Sequence, residues 1–198
     1  MLFRSGQDSA AVLDHMIETL QHLEKLRDQG KVRHFGLSNE SAWGTMRWLS
    51  IAAAHNLPRM VSIQNEYSLL CRFFDLDMAE VAYHEQVGLL AFSPLAAGLL
   101  SGKYRGNATP EGSRRTFAAD LGKRITERMW LAVDAYITIA EKVGISLAQL
   151  AISWASSRPF MTSVIIGATT ESQLAEALSA QDISLDDEVL AEIGRAHV

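Results

Sequence analysis

Cysteine is nearly absent. Cys71 stands alone among 198 residues, so no disulfide can close within the chain and no clustered-cysteine zinc site is available. That usage fits a reducing, cytoplasmic setting. Positive charge is short as well: 18 lysines and arginines against 23 acids leave a formal net charge of −5. This is the wrong sign for a surface that neutralises a phosphate backbone, so nucleic acid is not an expected partner, while small anionic ligands stay open. No apolar run approaches the roughly 20 residues that span a bilayer, and the first eight residues, MLFRSGQD, lack the apolar stretch of a signal peptide. No membrane partner is expected. The histidines, His15, His22, His34, His55, His84 and His197, share no metal-ligand spacing, and no metal site is expected.

What is present is enough apolar residue, 48%, for one sizeable core and a single domain over residues 1–198. Leu13, Met16, Ile17, Leu20, Leu23 and Leu26 recur at spacings of three and four with charged residues between them, an amphipathic helix over 11–29 that Gly30 ends. Strand and helix patterns then alternate. Short β-rich runs fall at 32–38, 60–64, 88–92 and 163–166, and helical periodicity at 73–86, 127–143, 147–157, 170–180 and 186–193. Asn39 stands where an N-cap introduces a further helix, to about His55. Between Pro94 and Lys123 lies a long connection rich in glycine and basic residues, of a length that is usually functional or disordered.

Strands each followed by a helix require a mainly parallel sheet with right-handed crossovers, an α/β fold whose ligands bind at the carboxyl ends of the strands. Those ends carry Ser38-Asn39, Gln64-Asn65, Ser93-Pro94 and Gly167-Ala168-Thr169. Each pair alone also suits a strand end or helix cap. Together at one edge, beside a basic loop, they point to a phosphate-bearing ligand.

Several stretches carry a family resemblance: Gly30-Lys31-Val32-Arg33 leading to Phe35-Gly36-Leu37-Ser38-Asn39, then Ile63-Gln64-Asn65-Glu66-Tyr67-Ser68, then AFSPLAAGLLSGKY over 91–104, then Ile165-Ile166-Gly167-Ala168-Thr169-Thr170 with Gln173-Leu174. In this order and spacing the chain resembles the C-terminal half of an aldo-keto reductase, most nearly the branch of potassium-channel β-subunits and bacterial glyceraldehyde-phosphate-type reductases. The resemblance implies a partial TIM-type (β/α) barrel of about four parallel strands with surrounding helices, and a nicotinamide cofactor, NADP(H) or alternatively NAD(H). By the same resemblance Ser38 and Asn39 lie near the nicotinamide, Gln64 bonds its carboxamide and Phe92 stacks on its ring. Ser93, Pro94, Leu95 and Ala96 follow the pyrophosphate, and Lys103 approaches the phosphates. Gly167, Thr169, Gln173 and Glu176 hold the adenosine end, with Arg114 or Arg115 covering phosphate.

Plainer roles compete with these. Thr170 with Gln173 has the spacing of a capping box. Phe92 alone reads as core, Lys103 as solvated, Tyr67 as structural or substrate-side, and Cys71 as buried rather than nucleophilic. The chain also departs from the resembled pattern. Ala177 stands where asparagine is common, and Thr169 where many relatives place arginine, which puts a preference for NADP in question.

The tyrosine, lysine, aspartate and histidine with which the resembled family protonates its alkoxide cannot be assigned to any residue of this sequence. The expected function is therefore a cofactor-binding half-site, oxidoreductase by descent, with weak or absent reduction of small carbonyl compounds. A non-catalytic binding module, or a piece of an ordinary NADPH-dependent reductase, is the alternative. A half barrel leaves sheet edges and apolar surface open, so a homodimer or higher homo-oligomer is expected, with helix 11–29 packing across an open end.

Overall fold

The computed structural model of the chain describes residues 8–196. Its main elements are α1 (Ser9–Asp28), β1 (Phe35–Ser38), α2 (Ala42–Ala54), β2 (Met60–Glu66), α3 (Asp77–His84), β3 (Gly88–Phe92), α4 (Glu127–Lys142), α5 (Leu147–Ser156), β4 (Met161–Val164), α6 (Glu171–Ser179) and α7 (Asp187–Ala196). The strands form one parallel sheet in chain order, β1-β2-β3-β4. This is the expected α/β architecture, with helices around a four-stranded sheet, consistent with part of a TIM-type barrel. No single helix among the described residues is long and apolar enough to cross a membrane. Packing divides the chain into two compact units, one running to Asn65 with Phe74–Leu90, the other comprising Glu66–Phe73 and everything from Ala91 on.

In the first unit, α1 starts on Asp8, whose carboxylate accepts from the Ala10 amide at 3.0 Å. It stops in a Schellman motif: Gly30 turns left-handed at φ +69°, its amide donates to Arg27 O and that of Lys31 to Leu26 O. α1 buries Met16 and Leu20 and packs on α2. The N-cap of α2 is Ser41, whose hydroxyl accepts from the Gly44 amide at 3.1 Å, and not Asn39. Asn39 belongs to the strand end instead: at φ +53° its amide donates to Gln64 O at 2.9 Å, extending the β1–β2 ladder. β1 is shorter than the run 32–38 because its pairing begins only where Phe35 meets Met60. At the register irregularity just after, Gly36 leaves room for the neighbouring strand: a Cβ there would sit 2.5 Å from Ser62 Oγ and 3.1 Å from Ser62 O. The expected helix 73–86 is broken: a 3-10 turn at Phe73–Asp75 precedes α3, and Leu76 between them is non-helical at ψ −98°.

The second unit is built on α5, which is buried on nearly every face and opens with a complete capping box, Ser146 with Gln149. Trp154 of α5 stacks on Tyr67 at 5.2 Å between ring centroids, and Phe160 meets Tyr67 edge-on. Tyr67 is fully buried between these rings. β4 sits two residues earlier than expected, although pairing continues through the Ile165 amide to Ala91 O at 2.8 Å.

Arg72, half-buried, joins these parts. Its Nε donates to Leu69 O at 3.3 Å, and Nη2 donates to the Tyr136 hydroxyl of α4 at 3.0 Å and to Ile193 O of α7 at 3.2 Å. The guanidinium also lies 4.5 Å from the centre of the Trp154 ring. Replacing Arg72 by methionine strands several acceptors and is expected to cost about 2–4 kcal/mol, with lysine recovering under half of it because an ammonium cannot fork to several partners. Urea midpoints of the two variants check this; equal midpoints for wild type and Arg72→Met would disprove the joint.

Candidate functional site

The first unit brings together three of the predicted site residues. Ser38, the last residue of β1, is the register partner of Gln64, two residues before the end of β2, which runs past the expected end at 64 to Glu66, and Asn39 follows with its side-chain amide donating to Ser38 Oγ at 3.2 Å. All three are exposed, and the Gln64 side chain makes no hydrogen bond. Asn65, expected at this strand end, and Glu40, which the sequence did not single out, support them. Asn65 donates to Glu40 O at 3.1 Å, while the Glu40 carboxylate accepts from the Ser41 amide and from Trp48 Nε1 at 3.3 Å. Asn65 Oδ1 is buried without a partner. A polar residue directly after a strand-end glutamine was the available signal.

In the second unit the strand-end turn after β3 is strained. Ser93, Ala96 and Ala97 hold φ of +55°, +46° and +57°, and Gly98 follows at +95°. Each left-handed non-glycine residue costs about 1–2 kcal/mol, and strain of this kind persists only where surrounding structure enforces it. Enforcement is visible. The Ala96 amide donates to Ser93 O at 2.8 Å and the amides of Gly98 and Leu100 both reach Leu95 O. The Leu95 side chain packs with Val164 and Ile166 on a cluster of Ile152, Ala177 and Ala180. Phe92 is half-buried just before the turn, its carbonyl taken by the Tyr67 amide at 3.2 Å, and Pro94 is buried.

That cluster also takes in the last turn of α6, through Ala177, and Ala180 just after it. Thr170 caps the helix through the Gln173 amide at 3.2 Å, but the expected capping box is not closed. The Gln173 side chain accepts instead from the amide and hydroxyl of Thr169, at 2.9 and 3.1 Å. Gly167 and Thr169 are exposed, Glu176 is half-buried, and a Cβ on Gly167 would meet nothing. Ala177 faces inward.

The basic residues separate into committed and uncommitted. Arg115 donates to Ala108 O at 2.7 Å, Asn107 Oδ1 at 2.8 Å and Ala119 O at 3.4 Å, and lies near the rings of Tyr104 and Trp130. It pins the long connection, which is folded into short 3-10 turns. Arg114 is exposed with no hydrogen bond or ion pair. Of the two arginines offered for a phosphate, the free one is Arg114. Lys103 is exposed, its ammonium 5.2 Å from the centre of the Tyr104 ring, and its end lies over Gly98, where a Cβ would come within 2.9 Å of Cε and 3.1 Å of Nζ.

Cys71 is half-buried. Burial first, then the nearby Glu66 carboxylate, push its thiol above the ordinary value of 9.0, against the Phe73 amide and Arg124. It is no activated nucleophile.

A model of the aldo/keto reductase family matches residues 7–197. The chain belongs to that family. It is 42% identical over 193 residues to Protein tas of Escherichia coli, covering 98% of this chain and 56% of that relative. It is 35% identical over 188 residues to an aldo-keto reductase of Babesia bovis, covering 91% and 66%, and 34% identical over 172 residues to a probable voltage-gated potassium channel subunit beta of Arabidopsis thaliana, covering 84% and 52%. The chain thus spans about half the length of the first of these relatives. Its membership makes it oxidoreductase-like, in a family that uses nicotinamide cofactors.

Two outcomes follow from this geometry. Arg115→Met should speed thermolysin cleavage within 105–120 by about fivefold, equivalent to about 1 kcal/mol of local opening, while Arg114→Met leaves cleavage unchanged; identical rates for both would refute the separation. The raised Cys71 value means its stabilising contribution is complete below pH 9.0 and is lost as pH rises through the folded-state value. Cys71→Ala should therefore flatten the alkaline decline in melting temperature measured in that window.

Proposed function

We propose that this chain binds NADP(H), with its second unit holding the phosphates and adenosine, and that by itself it reduces carbonyl compounds slowly or not at all. The observation that carries the reading is the enforced left-handed turn at Ser93–Gly98. Small residues and a strained backbone, held by hydrogen bonds and the Leu95 cluster, are what close approach to a phosphate requires. Two uncommitted cations, Lys103 and Arg114, supply charge, and the open side of Gly167 with the exposed N-terminus of α6 leaves room and free amides. These residues fit a dinucleotide phosphate. In the first unit Ser38, Asn39 and Gln64 offer polar groups of the kind a carboxamide takes. Thr169, already engaged by Gln173, adds no charge for a 2′-phosphate, so NAD(H) is the competing cofactor.

A bound nicotinamide supplies hydride; protonating the alkoxide falls to the protein. The tyrosines here are poorly placed for that. Tyr67, Tyr104 and Tyr136 are fully buried, the last donating to Leu69 O, and Tyr83 is on the surface of α3 beside His84. This supports weak turnover.

Titration of NADPH fluorescence should give saturable binding in the micromolar range, weakened about tenfold by Lys103→Met through loss of a charge-assisted contact. Ala97→Gly should raise stability by about 0.5–1 kcal/mol by relieving strain. No saturable binding at high micromolar NADPH would sink the cofactor reading. Aldehyde-dependent NADPH oxidation near the usual enzyme range of about 1–10 per second would sink the claim of weak turnover. Self-association is part of the proposal, supported by exposed Phe117, Leu131, Leu174 and Leu178. A sedimentation coefficient that stays monomeric over two decades of concentration would remove it.

A further inference from the structure

The second unit contains a cavity of about 430 Å³ between the segment that follows β2, the turn after β3 and the start of α4. Its charged lining is Glu66, Lys123, Arg124 and Arg128. Glu66 and Arg124 neutralise each other, with one carboxylate oxygen accepting from Nη2 at 2.7 Å and from Nε at 3.1 Å. Lys123 and Arg128 form no ion pair, and the neighbouring acids Asp120, whose carboxylate accepts from the Gly122 amide at 3.0 Å, and Glu127 are not part of the lining. The cavity therefore carries two uncompensated positive charges in a chain whose net charge is −5.

Its remaining walls are of a different kind. Leu70, Phe73, Leu99, Met129 and Ala132 give an apolar interior, and Phe73 is 80% exposed at the margin. Thr126, the N-cap of the 16-residue α4, also lines it, so the first-turn amides and the positive end of that helix add to the cationic side. Bare phosphate would leave the apolar walls unfilled, and the volume is at the small end of ligand pockets, too small to take a dinucleotide whole. Two unpaired cations together with an apolar lining select an amphiphilic anion.

We propose that this cavity is a binding site for a small organic carboxylate with an aromatic or branched apolar body, its carboxylate at Lys123 and Arg128 and its body against Leu99 and Met129. The inference does not rest on cofactor binding. Cys71 lines the same cavity and is the sole thiol of the chain, which makes it a built-in reporter.

The full chain is alkylated with iodoacetamide at mildly alkaline pH and Cys71 modification followed by intact mass, with 4-phenylbutyrate as probe and its neutral amide as control. Saturating 4-phenylbutyrate should slow alkylation at least about fivefold, and the amide should protect at least about tenfold more weakly, the size of one charge-assisted contact. The double variant Lys123→Met, Arg128→Met changes two exposed residues and should keep the wild-type circular dichroism while losing the preference for the acid. Lys103→Met should retain protection whether or not it binds NADPH. Absence of protection in the wild type, equal protection by acid and amide, or undiminished preference in the double variant would each overturn the proposal.

Discussion

The guanidinium of Arg72 is the contact on which the second unit depends. From the segment after β2 it reaches the backbone of its own turn, the Tyr136 hydroxyl on α4 and the last turn of α7 at Ile193, with its face toward Trp154 of α5. The planar fork is what allows one side chain to serve four elements at once, and the aromatic face beneath it compensates for its partial removal from water. Tyr136 completes the joint by donating to Leu69 O at 3.2 Å, and burial raises its phenol above the ordinary range, so it stays a neutral donor. Because α5 is otherwise apolar, this polar seam runs along its edge and leaves its faces free for packing.

One consequence appears at the turn after β3. A backbone that holds three non-glycine residues left-handed must draw its stability from neighbours, and the neighbours here are Ile152 of α5, Ala177 of α6 and the residues at and just beyond β4. The same small cluster takes in Ala177 in the last turn of α6 and Ala180 just after it. The turn and the end of α6 are therefore held by one apolar contact set, and a substitution at Leu95 or Ile152 would disturb both.

The division of the positive charges is equally informative. Arg72, Arg115 and Arg124 spend their donors on backbone carbonyls, a tyrosine or Glu66, and act as structure. Lys103, Arg114, Lys123 and Arg128 form no ion pair. Of these, Lys123 and Arg128 line the cavity at α4, while Lys103 lies over the strained turn at Gly98.

Much of this was legible in the residues alone. Alternating β-rich and helical runs, helix stops such as Gly30 and the small residues of SPLAAG determined an α/β chain with a strand-end turn, because they depend on local backbone preference and hydrophobic period. Other features depended on contacts across the sequence. Asn39 has the chemistry of an N-cap, but pairing with Gln64 claims its amide, and Ser41 caps α2 instead. Arg114 and Arg115 are indistinguishable as neighbours in sequence; only the fold gives Arg115 three acceptors and leaves Arg114 free. Arg72 and the Glu66–Arg124 pair join positions separated by 121 and 58 residues, and no local pattern reports them. The sequence by itself determined the order of strands and helices, though not the break at 73–76 or the bounds of β1 and β4, whereas tertiary structure decided which polar groups are spent on holding the fold. Which groups are spent is a matter of long-range geometry, and on it depends which remain for a ligand.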